Sequence, residues 1–360
     1  MVDIYDEIDN PTIISKSTKH KVNNMARRIG VDIGTGNIAA CWSAKGSADK
    51  KLDRIKDAFF RIDSAGNNFT ESMLQQANAR YSVIDGSIYV LGDQAFTLAN
   101  LFHAEAQRPM AKGVLNPTNP MAAVILKELI HGLIGDGGEG DVLYYSIPAD
   151  PVDADYNNIF HTDVLKGIFK QLGYPNAKPL NEGLAVVYST FPKSLSLPSL
   201  GISLGAGCVN VCYSFLGLPV FTFSISKSGD FIDENVAIAT NDTKSACAFV
   251  KESGKVDLTN PTNNVEAAIA IYYNALLGLI AKEFKKIYET KPKKDLPSIS
   301  APVKVAVAGG TSLAKGFIPK LEAHLKADGF PIPIGEITHA DDPLMAIADG
   351  VWFAAANDKN

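Results

Sequence analysis

Two stretches of the chain carry one pattern: RRIGVDIGTGNIAACWSAKG at residues 27–46 and LGISLGAGCVNVCYSFLG at residues 200–217. In each, apolar and β-branched residues flank a glycine turn on both sides. Each therefore reads as strand, turn, strand, a hairpin rather than a strand feeding a helix. Lys45-Gly46 closes the first hairpin, and a further strand through PVFTFSI follows the second.

Working outward, residues 54–100 alternate short strands with a polar helical stretch, and YSVIDGSIYVLGD holds an Asp85-Gly86 hairpin turn. RPMAKGVLNPTNP is a loop by its proline and glycine content. A helix is expected from about Pro120 to Leu133, with Ala122, Val124, Ile125, Leu129 and Leu133 as its apolar stripe. VLYYSIPAD is a buried strand stopped at Pro148, and residues 153–172 and NEGLAVVYST fit two more helices. In the second half, SKSGDFIDENVAIA enters a helix and NNVEAAIAIYYNALLGLIAKEFKKIYE is the longest amphipathic helix. VKVAVAGG is an apolar strand, followed by a helix from about Leu313. The repeated order predicts an α/β protein of two similar lobes, each built on a mixed five-stranded sheet.

Composition sets the outer limits. A chain of 360 residues with 46% hydrophobic and 20% charged side chains can bury a large core without disulfide or metal staples. The net charge of −5 argues against direct binding of nucleic acid. No run of 18 consecutive apolar residues is present, so no transmembrane segment is expected. The acidic start MVDIYDEIDN has no apolar signal core, and Cys41, Cys208, Cys212 and Cys247 form no scaffold pattern. Both features point to a cytoplasmic protein. Residues 1–26 are polar and without period, and read as a flexible arm.

The chemistry lies in the glycine turns. A phosphate chain needs several backbone N–H groups converging on it, and residues without side chains let the backbone come that close. The first turn offers Gly34, Thr35, Gly36 and Asn37, with Asp32 at the strand end. The second offers Gly205, Ala206, Gly207, Cys208 and Asn210. Facing each other, they would clamp a polyphosphate, and Asp32 would hold Mg²⁺ through its water shell. A third turn, AGGTSLAKG at 308–316, brings Gly309, Gly310, Thr311 and Ser312 between a strand and a helix, where a flat ring or ribose could approach. A lone glycine hairpin is more often an ordinary tight turn, and it is the order of three of them after apolar strands that points to a ligand. No GxxxxGK[ST] is present, and GTGNIAA is not a GxGxxG fingerprint. Cys208 and Cys212 stand about 13 Å apart if both lie on one strand, too far for one metal.

In this order the motifs resemble the actin/sugar-kinase/heat-shock-chaperone ATPase superfamily, and most of all its prokaryotic actin-like ATPases of the MreB and MamK types. VDIGTGN and SLGAGCVN are similar to the two phosphate hairpins, YYSIPAD to the proline-ended strand, NEGLAVVYS to the connecting helix and AGGTSLAKGF to the adenosine turn. DDPLMAIADGVWFAA is similar to the last helix entry, GDQAFTLANLFHAEAQRPMAKGV to the loop before the first lobe's helix, and SGDFIDENV to a Gly-Asp-x-x-Asp helix entry. The resemblance covers residues 28–356. It implies two duplicated actin-like (RNase H-like) lobes with a nucleotide cleft between them, each carrying a small insertion subdomain. The implied boundaries are a first lobe at 27–182 with an insertion at about 54–108, a second lobe at 183–342 with an insertion at about 229–299, and a terminal helix at 343–360 returning to the first lobe.

By the same resemblance the cofactors are ATP or ADP with Mg²⁺, and the partners are further copies in a cytoskeletal filament, with room for an adaptor. Gly229, Asp230 and Asp233 are implied near the ribose, and Glu182 as the connecting-helix acid with an interdomain structural job. Lys315 follows the adenosine turn, either near the base or solvated. The MreB type has a glutamate seven residues past the strand-ending proline. Counting from Pro148 gives Asp155 as the acid that orients water, or alternatively an acid serving a helix dipole. The chain departs from the family at Ser203, where an acid is usual, and at Cys208, Val209 and Asn210. Loss of that carboxylate implies slow hydrolysis with binding retained. Two other readings share the site: a non-polymerising nucleotide-gated chaperone-like or scaffold protein, and a small-molecule kinase.

Overall fold

The computed structural model describes residues 13–15, 26–63 and 68–359. Most of the expected arm lies outside the described residues, while Ile13–Ser15 forms strand β1. Strands β2 (Arg27–Ile33), β3 (Asn37–Ala44) and β4 (Lys51–Lys56) come next, then β5 (Phe59–Ile62), helix α1 (Asn68–Gln76), β6 (Tyr81–Ile84), β7 (Ser87–Leu91) and α2 (Asp93–Leu101). The two-residue strands β8 (Met110–Ala111) and β9 (Val114–Leu115) lead into α3 (Ala122–Ile134), β10 (Val142–Ile147), α4 (Ile159–Gln171), β11 (Lys178–Asn181) and α5 (Glu182–Thr190). The second half runs β12 (Ser199–Leu204), β13 (Val209–Phe215), β14 (Leu218–Ile225), α6 (Gly229–Thr240), α7 (Lys244–Glu252) and α8 (Asn264–Thr290). It ends with β15 (Val303–Ala308), α9 (Phe317–Leu325), β16 (Ile334–His339) and α10 (Ala346–Asn357).

The duplication is visible in the sheets. The first orders its strands β4-β3-β2-β10-β11 and the second β14-β13-β12-β15-β16, so corresponding strands occupy corresponding places. In both, the first three strands run antiparallel and the last two join in parallel. The central strands β2 and β12 are buried on both faces almost throughout, as helix-covered sheets require. A four-stranded sheet, β1-β6-β7-β5, stands beside the first lobe, with both Asp85 and Gly86 in the left-handed conformation that a two-residue hairpin needs.

Each lobe gives a helix to the other. Helix α5, which leaves the first lobe, packs on β12 and β13 of the second, while α10 leaves the second lobe and packs on β2 and β10 of the first. Asn181 caps α5 by accepting the Leu184 amide at 3.3 Å.

Helix α4 starts at Ile159 rather than 153, because Asp153 is drawn across the cleft, accepting from the Ser226 amide at 2.7 Å and pairing with Lys227 at 2.8 Å. After β15 the chain makes a short 3-10 turn over Gly310–Leu313, and α9 begins only at Phe317. Helix α8 is long and apolar enough, by length and composition, to cross a membrane. Glu266 and Asn274 keep it from being an unbroken apolar run. Its Ile269, Tyr273, Leu276, Leu277, Ile280 and Phe284 lie in the core of the second lobe, as in a core helix.

Candidate functional site: the cleft between the lobes

The turn Gly34-Thr35-Gly36 joins β2 to β3 and is closed by the Gly34 amide donating to the Asn37 carbonyl at 3.1 Å. Its counterpart, Gly205 to Cys208, joins β12 to β13 and closes identically, Gly205 amide to Cys208 carbonyl at 3.1 Å. The two turns face each other so closely that a methyl group on Gly36 would stand 3.1 Å from the Ala206 Cβ. One on Gly207 would overlap the Thr35 hydroxyl and reach the Gly113 amide at 2.8 Å. Among the described residues, the amides of Thr35, Gly36, Ala206 and Gly207 meet no protein acceptor. Unclaimed donors on converging turns without side chains form an anion cradle. Thr35 also accepts the Gly113 amide at 2.9 Å, which ties the β8–β9 loop to the first turn.

Behind the turns lie two buried carboxylates. Asp32, at the end of β2, accepts from Ser146 Oγ at 2.8 Å, and Ser146 is itself held by the Ile33 amide at 2.9 Å. Glu182, first residue of α5, accepts from Asn210 Nδ2 at 2.9 Å and from Ser203 Oγ at 3.3 Å. Burial pushes both acids upward in pKa, and the neighbouring charge of Asp32 pushes Glu182 further. Ser203 therefore leaves the cleft a carboxylate nearby: it donates to one that arrives from the connecting helix. Asn210 also receives the Ala149 amide at 2.8 Å, joining the second lobe to the end of β10.

The third turn meets the second. The Gly205 carbonyl accepts from Ser228 Oγ at 2.6 Å and Thr311 Oγ1 at 2.7 Å, with the Gly229 amide at 3.3 Å. Gly309 takes a φ of +94° and Ser312 Oγ donates to its carbonyl at 2.7 Å. On α6, Asp233 forms a buried ion pair with Lys251 of α7 at 2.6 Å, and burial holds Asp233 up at about 6 despite that lysine. Asp230 reaches across the cleft instead, with Arg108 at 3.0 and 2.9 Å from its two oxygens.

Of the residues singled out in the sequence, those on the three glycine turns, Asn210 and the entry of α6 come together around one cleft. Asp155 lies exposed on the loop before α4. Lys315 is exposed and paired with Asp257 at 2.8 Å. The pairing of Glu182 with Asp32, the Lys251 ion pair and Arg108 were not legible in advance. The signal for Glu182 was the glycine after it, since Gly183 lets α5 settle against the Cys212 backbone.

The donor set suits a magnesium–nucleotide. Among the described residues no three His, Cys, Asp or Glu side chains converge as a metal cage. A Mg²⁺ held by one or two carboxylates, water and phosphate oxygens needs no such cage, and carboxylates such as Asp32 and Glu182 beside an amide cradle would fit one.

Solved structures share this architecture. A MamK double helical filament matches with a TM-score of 0.70 at 18% identity, over 92% of this chain and 99% of that one. MreB 5 of Spiroplasma citri bound to AMPPNP matches at 0.62 and 17%, over 91% and 95%. The ethanolamine utilization protein EutJ from Carboxydothermus hydrogenoformans matches at 0.51 and 13%, over 94% and 92%. These similarities identify an actin-like fold. No protein of curated function matches the sequence. A family model described as Volactin matches residues 27–355, from the first strand of the first sheet into the last helix, and the chain belongs to that family.

Proposed function

We propose that this protein binds an adenine nucleotide with Mg²⁺ between its lobes and assembles head to tail into cytoskeletal filaments in the cytoplasm, hydrolysing the nucleotide slowly. The observation that carries the reading is the pair of glycine turns within a methyl group's width, their amides unclaimed, above Asp32 and Glu182. The fold is shared with a filament of MamK and with an MreB 5 bound to AMPPNP, which supports both halves of the proposal.

In this reading the amides of the first two turns hold the phosphates, Asp32 holds the metal through water, and Gly309 to Ser312 with Gly229 and Asp233 flank the nucleoside. Mg²⁺, when bound, neutralises phosphate charge. Glu182, aimed by Ser203 and Asn210, orients the attacking water, while the β8–β9 loop excludes bulk solvent. Phosphoryl transfer asks mainly for this positioning. Isothermal titration calorimetry should show magnesium-dependent uptake of ATP, and a folded protein taking up none would overturn the proposal. Glu182→Gln should retain binding and lower phosphate release by roughly 100-fold, as loss of a positioned acid or base does. Asp155→Ala should leave release near the wild-type rate; the reverse pattern would return the water to Asp155.

Self-association has its own support. Ile238 and Phe249 stand exposed on α6 and α7, the helices that leave the cleft, and Leu216 and Leu218 on the sheet turn remote from it. Apolar patches at two different places on one lobe suit a heterologous contact, which propagates as a filament. Light scattering and negative-stain microscopy with Mg·ATP should show filaments, and Phe249→Asp should abolish them with nucleotide uptake unchanged. A nucleotide-binding protein that stays monomeric at every salt concentration would favour the scaffold reading.

A further inference from the structure

Arg108, on the loop before β8, stands between two acids that belong to opposite sides of the cleft. One is Asp230, whose oxygens lie 2.9 and 3.0 Å from its Nη1. The Asp230 amide donates to the Ala206 carbonyl at 2.8 Å, so this acid moves with the second phosphate turn. The other is Asp57, directly after β4, whose amide donates to the Gly36 carbonyl at 3.2 Å, so it moves with the first. Asp57 is 1% exposed; its Oδ2 accepts the Met110 amide at 3.0 Å, and its Oδ1 has no partner among the described residues.

A buried carboxylate oxygen without a donor is costly and rare. Burial pushes the Asp57 carboxyl well above the usual carboxylate range, and the Met110 amide and the charge of Arg108, two residues before Met110, act against that rise. The geometry points to Arg108 as a two-position clasp, bound to Asp230 when the lobes are closed and falling back on Asp57 when they part. Each position satisfies one acid and releases the other, so pairing gained in one state is offset in part by pairing lost. A ligand with modest preference for the closed state can then shift the balance. The charged groups facing Arg108 differ in setting: Asp57 is buried within the first lobe, while Asp230 is partly exposed and also within 4.0 Å of Lys244. The clasp adds regulation to the cleft proposed above and rests on that reading only for its ligand.

The test measures lobe separation directly. Spin labels on cysteines introduced at the exposed positions Thr97 and Ser245, one on each side of the cleft, report the distance distribution by double electron–electron resonance without nucleotide. Asp57→Asn keeps an acceptor for Met110 and removes the fallback charge, so it should shift the distribution toward the short distance. Asp230→Asn should shift it toward the long one. In an Arg108→Ala background, Asp57→Asn should shift nothing. Release of a fluorescent ATP analogue should slow roughly tenfold or more in Asp57→Asn and quicken by as much in Asp230→Asn, the size expected of one exchanged charge-assisted hydrogen bond. Equal-direction shifts in the two single variants, or an Asp57→Asn shift that survives Arg108→Ala, overturn the clasp. A wild type that takes up no nucleotide overturns the proposed function instead and leaves the distance measurements to decide the clasp.

Discussion

His161 shows what burial does to a single titratable residue in this fold. Its Nδ1 accepts the Leu115 amide at 3.1 Å, its Nε2 has no partner among the described residues, and burial lowers its pKa to about 4. An imidazole in the unfolded chain takes a proton near pH 6.5. Between pH 6.5 and 4 the unfolded chain therefore binds a proton that the native protein refuses, and stability falls as the pH falls through that window. The full effect is about 3 kcal/mol, reached near pH 4. Asp32 and Glu182, whose pKa values are raised, have the opposite sign: their contribution is greatest when both are protonated and declines as the pH rises. His161→Gln keeps an acceptor for Leu115 and cannot titrate, so comparing it with wild type isolates the histidine. Urea unfolding at pH 7 and pH 4.5 should show wild type losing ground to the variant. A difference between the two proteins that is constant across that range would rule the account out.

At the scale of elements, the α5–α10 pair is the most tightly specified contact. A Cβ on Gly350 of α10 would overlap the Ala185 carbonyl of α5, and one on Gly30 of β2 would overlap the backbone of Trp352. Both obstacles are main chain, so neither can move aside cheaply. Gly350→Ala should cost about 3 kcal/mol or more, as overpacking against a rigid backbone does. Gly167→Ala, on α4 with nothing within 4 Å of the added methyl, should instead gain up to about 1 kcal/mol from helix propensity. Chemical denaturation of the two variants side by side checks both signs. The same contrast explains what could be read from the chain. The hairpins at 33–37 and 204–209 were legible because a glycine turn between β-branched runs is a local signal. Helix α7 was not anticipated, and α4 was expected six residues early, because Lys251 and Asp153 are placed by partners 18 and 74 positions away. Glu182 was visible as a helix acid, but its neighbour Asp32 is 150 positions distant by the numbering, and only the fold brings them together.

The whole molecule hinges where its lobes are stitched together. At the base of the cleft, the Val152 amide donates to the Ser224 carbonyl at 2.9 Å and the Ser224 amide to the Asp150 carbonyl at 3.1 Å, a short parallel bridge between the lobes. Ser224 Oγ adds a bond to the Ala149 carbonyl at 2.8 Å, and Asn210 holds the Ala149 amide. These contacts all use main-chain groups on the 149–152 side, whereas Arg108 and Asp230 meet only through partly exposed side chains. Opening should therefore break the Arg108 side of the cleft and leave the stitch intact, a rotation about residues 149–152 and 224 rather than a separation of two bodies. Hydrogen–deuterium exchange resolves the difference. Peptides covering 149–153 and 222–226 should exchange slowly and equally with and without Mg·AMPPNP, because their amides are bonded in both states. Peptides covering 108–113 should slow on nucleotide addition, as the Gly113 amide and its loop are pinned against Thr35 and Gly207. If protection changes as much at 149–153 as at 108–113, the stitch opens with the cleft and the lobes are not hinged there.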